Sequence, residues 1–180
     1  MGKHNALTRG SLWMTGFGCS CPYKYGNGSH PASPWPDWMY KLASTLQEIM
    51  GLGNSSFSGC NLNRYDDGTQ SLFWHQDDEP LMKTPTDNVT ILSLSLGATR
   101  EFRYKSKYHF EHSHVHLANG DLLVMTGSTQ SHLSHCIPTD KKCLSPRYNL
   151  TFRFITNHKP GCKVDPTRRP HLSCWHPQAH

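Results

Sequence analysis

The chain has 180 residues, a length that corresponds to one domain of ordinary size with room for a buried core. Eighteen Lys and Arg against thirteen Asp and Glu give a formal net charge of +5, and thirteen histidines add charge where the pH falls. This balance suits a polyanionic ligand such as nucleic acid but does not require one. No apolar run approaches the ~20 residues of a membrane span, and the first residues lack the apolar segment of a signal peptide, so we expect neither membrane insertion nor secretion.

The seven cysteines are odd in number and scattered, and none of them forms a CxxC pair. This pattern favours neither a disulfide framework nor a zinc ribbon. We therefore expect an intracellular, reducing compartment, the cytoplasm or the nucleus. Three Asn-X-Ser/Thr sequons, at Asn54, Asn88 and Asn149, are then interpreted as chance matches.

The first third of the chain divides into a loop-rich region and a helix. Residues 1–36 are rich in Gly, Pro, Ser, Cys and aromatic residues, a mixture typical of turns and short extended segments. From Asp37 to Met50 the apolar residues recur at helical spacing, with Pro36 before the segment and Gly51 after it. This pattern predicts one helix at the beginning of a core that extends over residues 37–157.

Seven short runs with turn signals between them follow the helix, and this punctuation predicts a mainly antiparallel β domain, a sandwich or a barrel. The runs are 60–65, 70–75, 89–96, 100–105, 112–117, 121–126 and 147–156. Residues 158–180 lose the periodicity and gain Pro, Arg and His, so we expect an extended or disordered tail. Zinc binding is the alternative for the tail, although the spacing matches no finger pattern. Its candidate ligands are His158, Cys162, His171, Cys174 and His176.

The last predicted strand, RYNLTFRF, carries two arginines on one face. A period of two puts the polar side chains on one side and the apolar and aromatic side chains on the other. The polar side chains are those of Arg147, Asn149, Thr151 and Arg153. A solvent-exposed face would account for both arginines. Six residues of strand span ~20 Å, and two inward-curling arginines could instead bind the two ends of one dianion.

The stretch WHQDDEP contains a candidate pair of metal ligands. His75 and Asp77 lie two residues apart at a predicted strand end, so their side chains can point toward the same ion. One imidazole and one carboxylate are two of the three ligands of the 2-His-1-carboxylate triad that binds Fe(II) and leaves positions open. The residue types alone leave the second histidine undecided. The candidates are His109, His112, His114, His116, His132 and His135.

Five motifs in order resemble the AlkB family of Fe(II)/2-oxoglutarate-dependent dioxygenases, over about residues 60–155. They are NRY (63–65), HQDDEP (75–80), SLSLGATREFRY (93–104), GDLLVMTGSTQSHLSHCIP (120–138) and SPRYNLTFR (145–153). The resemblance implies a double-stranded β-helix, or jelly-roll, core with a flanking helix and an N-terminal nucleotide-recognition lid. It also implies a metal triad of His75, Asp77 and His135, the last because it precedes CIP. The implied 2-oxoglutarate contacts are Asn63, Tyr65, Arg147, Asn149 and Arg153.

The resemblance assigns substrate contacts less sharply. Glu79 matches an acidic position that helps to read the target base, and its carboxylate would favour a cationic methylated base; capping the turn before Pro80 is the alternative. The N-terminal aromatic residues lie where the family has its lid, but GCSCPYKYGN departs from the usual lid pattern, and aromatic packing explains them equally well. These residues are Trp13, Phe17, Tyr23 and Tyr25.

The implied activity is oxidative demethylation of 1-methyladenine or 3-methylcytosine in single-stranded RNA or DNA. Fe(II), 2-oxoglutarate and O2 take part, succinate forms, and the methyl group leaves as formaldehyde. Compact domains of this kind with a PWP segment also resemble those embedded in plant RNA virus replicases, which slightly favours RNA and would place the protein in host cytoplasm. We expect a monomer. The alternatives are an oxygenase of protein or lipid and a catalytically silent nucleic-acid-binding module.

Overall fold

The computed structural model describes residues 9–25, 28–52, 57–82 and 89–164, with Tyr25 described by its backbone alone. The sequons at Asn54 and Asn88 lie outside the described residues, as do three candidate ligands of the tail, His171, Cys174 and His176. No helix among the described residues is long and apolar enough to span a membrane.

The described residues form short strands, two α-helices and a 3-10 turn. The strands are β1 Gly10–Thr15, β2 Tyr23–Tyr25, β3 Gly28–His30, β4 Ser33–Pro34, β5 Gly59–Tyr65, β6 Leu72–His75, β7 Ile91–Gly97, β8 Arg100–Ser106, β9 Ser113–Leu117, β10 Leu122–Met125, β11 Leu133–Ile137 and β12 Arg147–Arg153. The helices are α1 Asp37–Ile49 and α2 Thr129–His132, and the 3-10 turn is Pro80–Met82. The predicted helix and all seven predicted strand runs are therefore present.

Two sheets pack face to face. The larger sheet has the order β10-β7-β12-β5-β1-β4 and the smaller one has the order β6-β11-β8-β9, while β2 and β3 form a separate hairpin. All pairs are antiparallel except β1 with β4. An apolar cluster that includes Ile91 from the larger sheet and Phe102 and Ile137 from the smaller one fills one end of the space between them. This arrangement is the predicted jelly-roll core.

Helix α1 covers the outer face of the larger sheet. Met39, Ala43 and Leu46 recur at helical spacing, are buried, and pack against Leu150 and Phe152 of β12. Burial of one such large apolar side chain contributes ~1.5–3 kcal/mol. The helix therefore seals one face of β12 and leaves the opposite face to line the space between the sheets.

The N-terminal segment contributes more to the fold than the expected loop-rich region. Strand β1 pairs with β5 over all of its residues, from Gly10 opposite Arg64 to Thr15 opposite Gly59. Trp13 of β1 fits because position 59 is glycine, where an added Cβ would lie 2.4 Å from the Trp13 ring. The composition of this segment had indicated turns. It gave no sign of β1 because the strand with which β1 pairs is distant in sequence, and such pairing leaves no local pattern.

Candidate active site

Strand β12 presents its polar face to the space between the sheets. Arg147 and Arg153 are only 1% and 2% exposed, so the alternative of a solvent-exposed face is wrong. Asn149 lies opposite Asn63 of β5 on one side and Ser95 of β7 on the other. Because this polar face lies in the space between the two sheets, it is buried, and its groups must find partners inside the protein or in a ligand.

A cavity opens over this face. The volume of this cavity is about 40 Å³. Its lining includes three arginines and one carboxylate, those of Arg9, Arg147, Arg153 and Asp77. All the residues predicted to bind metal or 2-oxoglutarate line this one cavity. The surplus of positive charge suits an anionic ligand.

The two histidines of the predicted metal triad meet through strand pairing. His135 of β11 lies directly opposite His75 of β6, and the two ring centroids are 4.2 Å apart. Asp77 follows β6, where its backbone N–H donates to the Gln130 side chain at 2.9 Å. The Nε2 atom of His75 is 3.6 Å from Asp77 Oδ1, and that of His135 is 4.0 Å from Asp77 Oδ2.

The protonation states of these three groups suit a metal ion. Burial lowers the pKa of His75 and lowers that of His135 to about 4, so both imidazoles are neutral at physiological pH. Burial opposes the charge on Asp77, but Arg153 and the histidines outweigh it and hold the pKa of this carboxyl below its usual value. Among the described residues, ligand atoms of this triad all lie within 4.8 Å of one another. Two neutral imidazoles and one carboxylate are a donor set that fits Fe(II).

The orientation of each imidazole is set by a neighbour. The Nδ1 atom of His75 lies 2.8 Å from the carbonyl oxygen of Phe73, which leaves Nε2 directed toward Asp77. The ring of His135 stacks on Phe102 with centroids 5.1 Å apart and an interplanar angle of 22°. Such contacts fix the tautomer and the ring plane of a metal ligand.

Arg153 is paired with two carboxylates and a tyrosine. Its Nη2 atom lies 2.8 Å from Asp77 Oδ1, and its Nη1 atom donates to the Tyr23 hydroxyl at 2.9 Å and lies 3.6 Å from Glu79 Oε2. The Tyr23 hydroxyl in turn donates to Glu79 Oε1. Burial opposes the charge of Arg153, but these neighbours outweigh it and raise its pKa. Burial also raises the pKa of Glu79, against the effect of Arg153.

Arg147 has a different environment. Its Nη2 atom donates to Ser95 Oγ at 2.8 Å, and the guanidinium carbon lies 5.5 Å from the centre of the Tyr65 ring. Its Nε and Nη1 atoms are buried without a hydrogen-bond partner among the described residues. Burial lowers the pKa of Arg147, and nearby Arg100 acts in the same direction, while Tyr65 opposes them without outweighing burial. A buried cation without a counter-charge is costly, so this position is suited to an anion from outside the chain.

The four predicted lid residues lie in different surroundings. Phe17 is half-buried and packs against the Trp35 and Tyr40 rings. Tyr23 reaches the site through its contacts with Glu79 and Arg153. Trp13 is 1% exposed, stacks on Tyr23 and donates from Nε1 to the Cys21 carbonyl, so it packs in the core and offers no surface to a base. The side chain of Tyr25 lies outside the described residues.

Sequence analysis missed two features near the site. Arg9, directly before β1, lines the cavity and donates from Nε to the Asn63 side-chain oxygen at 2.8 Å. Phe73 and Trp74, next to the ligand His75, are 70% and 38% exposed. The QSLFWH motif contained the signal for the second feature, since two large aromatic residues lie beside a candidate ligand.

Comparisons with known proteins agree with this geometry. A model of the 2OG-Fe(II) oxygenase superfamily matches residues 4–153. Alpha-ketoglutarate-dependent dioxygenase alkB homolog 3 of Mus musculus is 31% identical over 164 residues, which cover 86% of this chain and 56% of that protein. DNA oxidative demethylase ALKBH2 of Homo sapiens is 35% identical over 131 residues, which cover 68% of this chain and 49% of that protein.

The chain thus spans about half the length of the curated relatives it matches. The solved structure of OsALKBH1 aligns with a TM-score of 0.54 at 24% identity, over 71% of this chain and 67% of that one, which supports the jelly-roll fold. The chain belongs to the 2OG-Fe(II) oxygenase superfamily, in which it is an AlkB-like member whose family cofactors are Fe(II), 2-oxoglutarate and O2.

Proposed function

We propose that this protein is an oxidative demethylase of N-methylated bases in single-stranded nucleic acid. The observation that carries the proposal is that one cavity contains both a His-Asp-His cluster and a buried arginine with unpaired donors. The first suits a metal with open coordination positions and the second suits a carboxylate. An Fe(II)/2-oxoglutarate oxygenase needs both within one site.

His75, Asp77 and His135 are the residues that would hold Fe(II). When bound, the metal together with 2-oxoglutarate and O2 supplies the oxidation of an N-methyl group, which then leaves as formaldehyde while succinate forms. The protein keeps Asp77 ionised through Arg153 and keeps both imidazoles neutral through burial. These effects maintain the three ligands in the states that bind a metal.

The two arginines of β12 would receive opposite ends of the diacid. Arg153 contacts the candidate ligand Asp77 and therefore lies at the metal end, where its positive charge would attract the carboxylate next to the keto group. Arg147 is six residues away along the strand, and its Nε and Nη1 donors, which have no hydrogen-bond partner among the described residues, would be available to the far carboxylate. Asn149, Asn63 and Tyr65 line the cavity between or beside them and complete its polar wall.

Glu79 would contact the base, and Tyr23 would act on the base through Glu79. A second cavity shares Asp77 with the first and is also lined by Glu79, Lys107 and Ser131, so a base that enters it would lie beside the metal ligands. The buried Glu79 carboxylate favours a base that carries positive charge or an exocyclic amine, as in 1-methyladenine and 3-methylcytosine. The Tyr23 hydroxyl holds Glu79 in place through a hydrogen bond.

Exposed aromatic and basic side chains adjoin the site and suit a single strand. Phe73 and Trp74 directly precede His75 in β6 and are exposed, and the Lys105 ammonium lies 4.6 Å from the centre of the Trp74 ring. Stacking of bases on aromatic rings and pairing of phosphates with lysine are the usual means of binding unpaired nucleic acid. A single strand also exposes the methylated pairing edge, which a duplex hides.

The test is mass spectrometry of methylated single-stranded RNA and DNA oligonucleotides after incubation with the protein, Fe(II), ascorbate and 2-oxoglutarate. We expect loss of the methyl mass with matching succinate, abolished by His135→Ala and retained by His132→Ala. His132 is the matched control because it is exposed on α2, three residues before His135. The ratio of rates on the two polymers tests the slight preference for RNA.

Three results would refute the proposal. Succinate formation stimulated by peptides or lipids but not by oligonucleotides would assign the site to another oxygenase substrate. Oligonucleotide binding without any turnover, unchanged by His135→Ala, would indicate a silent binding module. Wild-type activity in the His135→Ala variant would show that the reaction does not need His135 as a metal ligand.

A further inference from the structure

Three cysteines and a histidine from the two ends of the described chain meet outside the active site. Cys19 and Cys21 lie in the loop between β1 and β2, and His158 and Cys162 lie after β12. Cys19 and Cys162 are 143 positions apart in sequence, yet their sulfur atoms are 3.7 Å apart. Ligand atoms of all four residues lie within 4.8 Å of one another.

The distances are those of a tetrahedral zinc site. Zinc bonds to sulfur and nitrogen place two sulfur ligands about 3.8 Å apart and a sulfur and a nitrogen ligand about 3.6 Å apart. The Nδ1 atom of His158 lies 3.5 Å from Cys19 Sγ and 3.7 Å from both Cys21 Sγ and Cys162 Sγ. A disulfide between two of these cysteines would require sulfur atoms ~2.0 Å apart, and all three are free thiols.

Backbone N–H groups surround the three sulfur atoms. The N–H of Lys159 donates to Cys21 Sγ at 3.2 Å, that of Ser20 to Cys162 Sγ at 3.4 Å and that of Cys21 to Cys19 Sγ at 3.5 Å. Each sulfur therefore receives one backbone donor, which stabilises the negative charge of a thiolate. A cluster built only for apolar packing would not need a donor at every sulfur.

We propose that Cys19, Cys21, His158 and Cys162 bind a structural zinc ion. Four protein ligands complete a tetrahedron and leave no open position, which is typical of structural rather than catalytic zinc. Three soft thiolates select zinc over Fe(II), whereas the oxygen and nitrogen ligands of the active site suit Fe(II). The chain would thus hold two different metals in two separate sites.

The zinc would fix the segment that carries Tyr23 to the end of the core. Tyr23 lies two residues after Cys21, and Arg153 lies five residues before His158. These two side chains hydrogen-bond at 2.9 Å in the active site. A cross-link between chain segments so far apart in sequence removes much of the freedom of the unfolded chain. The ion would therefore stabilise the fold and hold Tyr23 next to Glu79.

The test is the zinc content of the full-length purified protein, measured by plasma mass spectrometry after dialysis into metal-free buffer. We expect one zinc ion per chain in the wild type and its loss in Cys162→Ser. Cys143→Ser is the matched control because Cys143 is also a free, partly buried cysteine and lies outside the cluster. His135→Ala separates the two metal sites and should leave the zinc in place.

A second measurement covers the case in which Cys162→Ser fails to fold. Cobalt(II) exchanged into the wild-type protein should give the intense visible bands of a tetrahedral site and the sulfur-to-metal charge-transfer band of thiolate ligands. Removal of zinc by a chelator should lower the melting temperature, and added zinc should restore it. Absence of zinc together with absence of the cobalt bands would overturn the proposal. So would zinc that disappears in His135→Ala but persists in Cys162→Ser, or a disulfide between Cys19 and Cys162 in the native protein.

Discussion

Substitution of Arg147 by methionine gives the sharpest test of how the site binds 2-oxoglutarate. Methionine keeps most of the length of the side chain but removes the charge and the two unpaired donors, Nε and Nη1. A hydrogen bond to a charged group contributes at least ~1.5 kcal/mol, so two such bonds amount to about 3 kcal/mol, or a ~10²-fold rise in the dissociation constant. The apparent affinity for metal should change little, because Arg147 has no contact with the triad among the described interactions.

The same substitution should weaken the binding of 2-oxoglutarate without lowering the stability of the protein. In the ligand-free protein Arg147 is a buried cation, and its neighbours offset only part of the cost of burying its charge. Arg147→Met should therefore leave the free energy of unfolding unchanged or raise it. Arg153→Met should instead destabilise the protein by ~3–5 kcal/mol, because it leaves Asp77 and Glu79 as buried carboxylates without their cation. The two arginines look equivalent in the sequence but differ in this respect.

The assay has two parts. Calorimetric titration of 2-oxoglutarate into protein loaded with Mn(II), which does not turn over, gives the dissociation constant. Urea denaturation without metal or 2-oxoglutarate gives the free energy of unfolding. Wild-type affinity in Arg147→Met, or a loss of several kcal/mol of stability in that variant, would refute the assignment of Arg147 to the far carboxylate.

Three further predictions follow from packing, hydrogen bonding and protonation. Gly59→Ala should cost ~1–3 kcal/mol of stability, measured by urea denaturation, because its Cβ would lie 2.4 Å from the Trp13 ring. Tyr23→Phe should raise the KM for a methylated oligonucleotide by ~10-fold and that for 2-oxoglutarate less, because Glu79 loses its donor while Arg153 keeps its contact with Asp77. Burial lowers the pKa of His135 from 6.5 to about 4, so the unfolded chain binds a proton in this range that the folded one does not. The metal-free protein should therefore lose up to ~3 kcal/mol of stability as the pH falls through this range, and His135→Gln should reduce the loss.

Each of these predictions has a control in the same chain. Gly10→Ala places its Cβ 3.5 Å from the nearest atom, an ordinary contact, so its free energy of unfolding should be close to that of the wild type. If both glycine substitutions reduced stability equally, the close approach of Trp13 to Gly59 would not be the cause. For Tyr23→Phe, a parallel rise in both KM values would point to general loosening of the site. For the pH effect, His132→Gln should leave the slope unchanged, and a flat profile in the wild type would contradict the reasoning.

Local patterns were sufficient for most of the fold. Alternation along RYNLTFR predicted β12 and its two faces, and apolar spacing after Pro36 predicted α1 to within one residue. The identity of the second histidine was different, because residue types left six candidates open and only the resemblance selected His135. Only the pairing of β6 with β11 brings His135 opposite His75, and pairing of strands is not encoded in either strand alone.

The same limit explains two incomplete predictions. Trp13 was interpreted as a lid residue or as a packing residue, and the choice depends on Gly59 of a strand 46 positions away in sequence. Only His158 and Cys162 of the cysteine-histidine cluster were named as possible zinc ligands, because the ligands come in two pairs more than 130 positions apart, whereas zinc motifs are found by short spacing. The CSC and HKPGC segments carry no strong signal until the fold brings them together.

Strand β12 links the stability of the core to the geometry of the site. Its outer face places Leu150 and Phe152 in the apolar core beneath α1, while its inner face places Arg147 and Arg153 in the cavity. Both edges of the strand are hydrogen-bonded, to β5 and to β7, so it cannot shift without breaking two ladders. The spacing of the two arginines is therefore fixed by the most buried part of the fold. A diacid of the wrong length would have to be accommodated by the side chains alone, which gives this site a physical basis for selecting a five-carbon co-substrate.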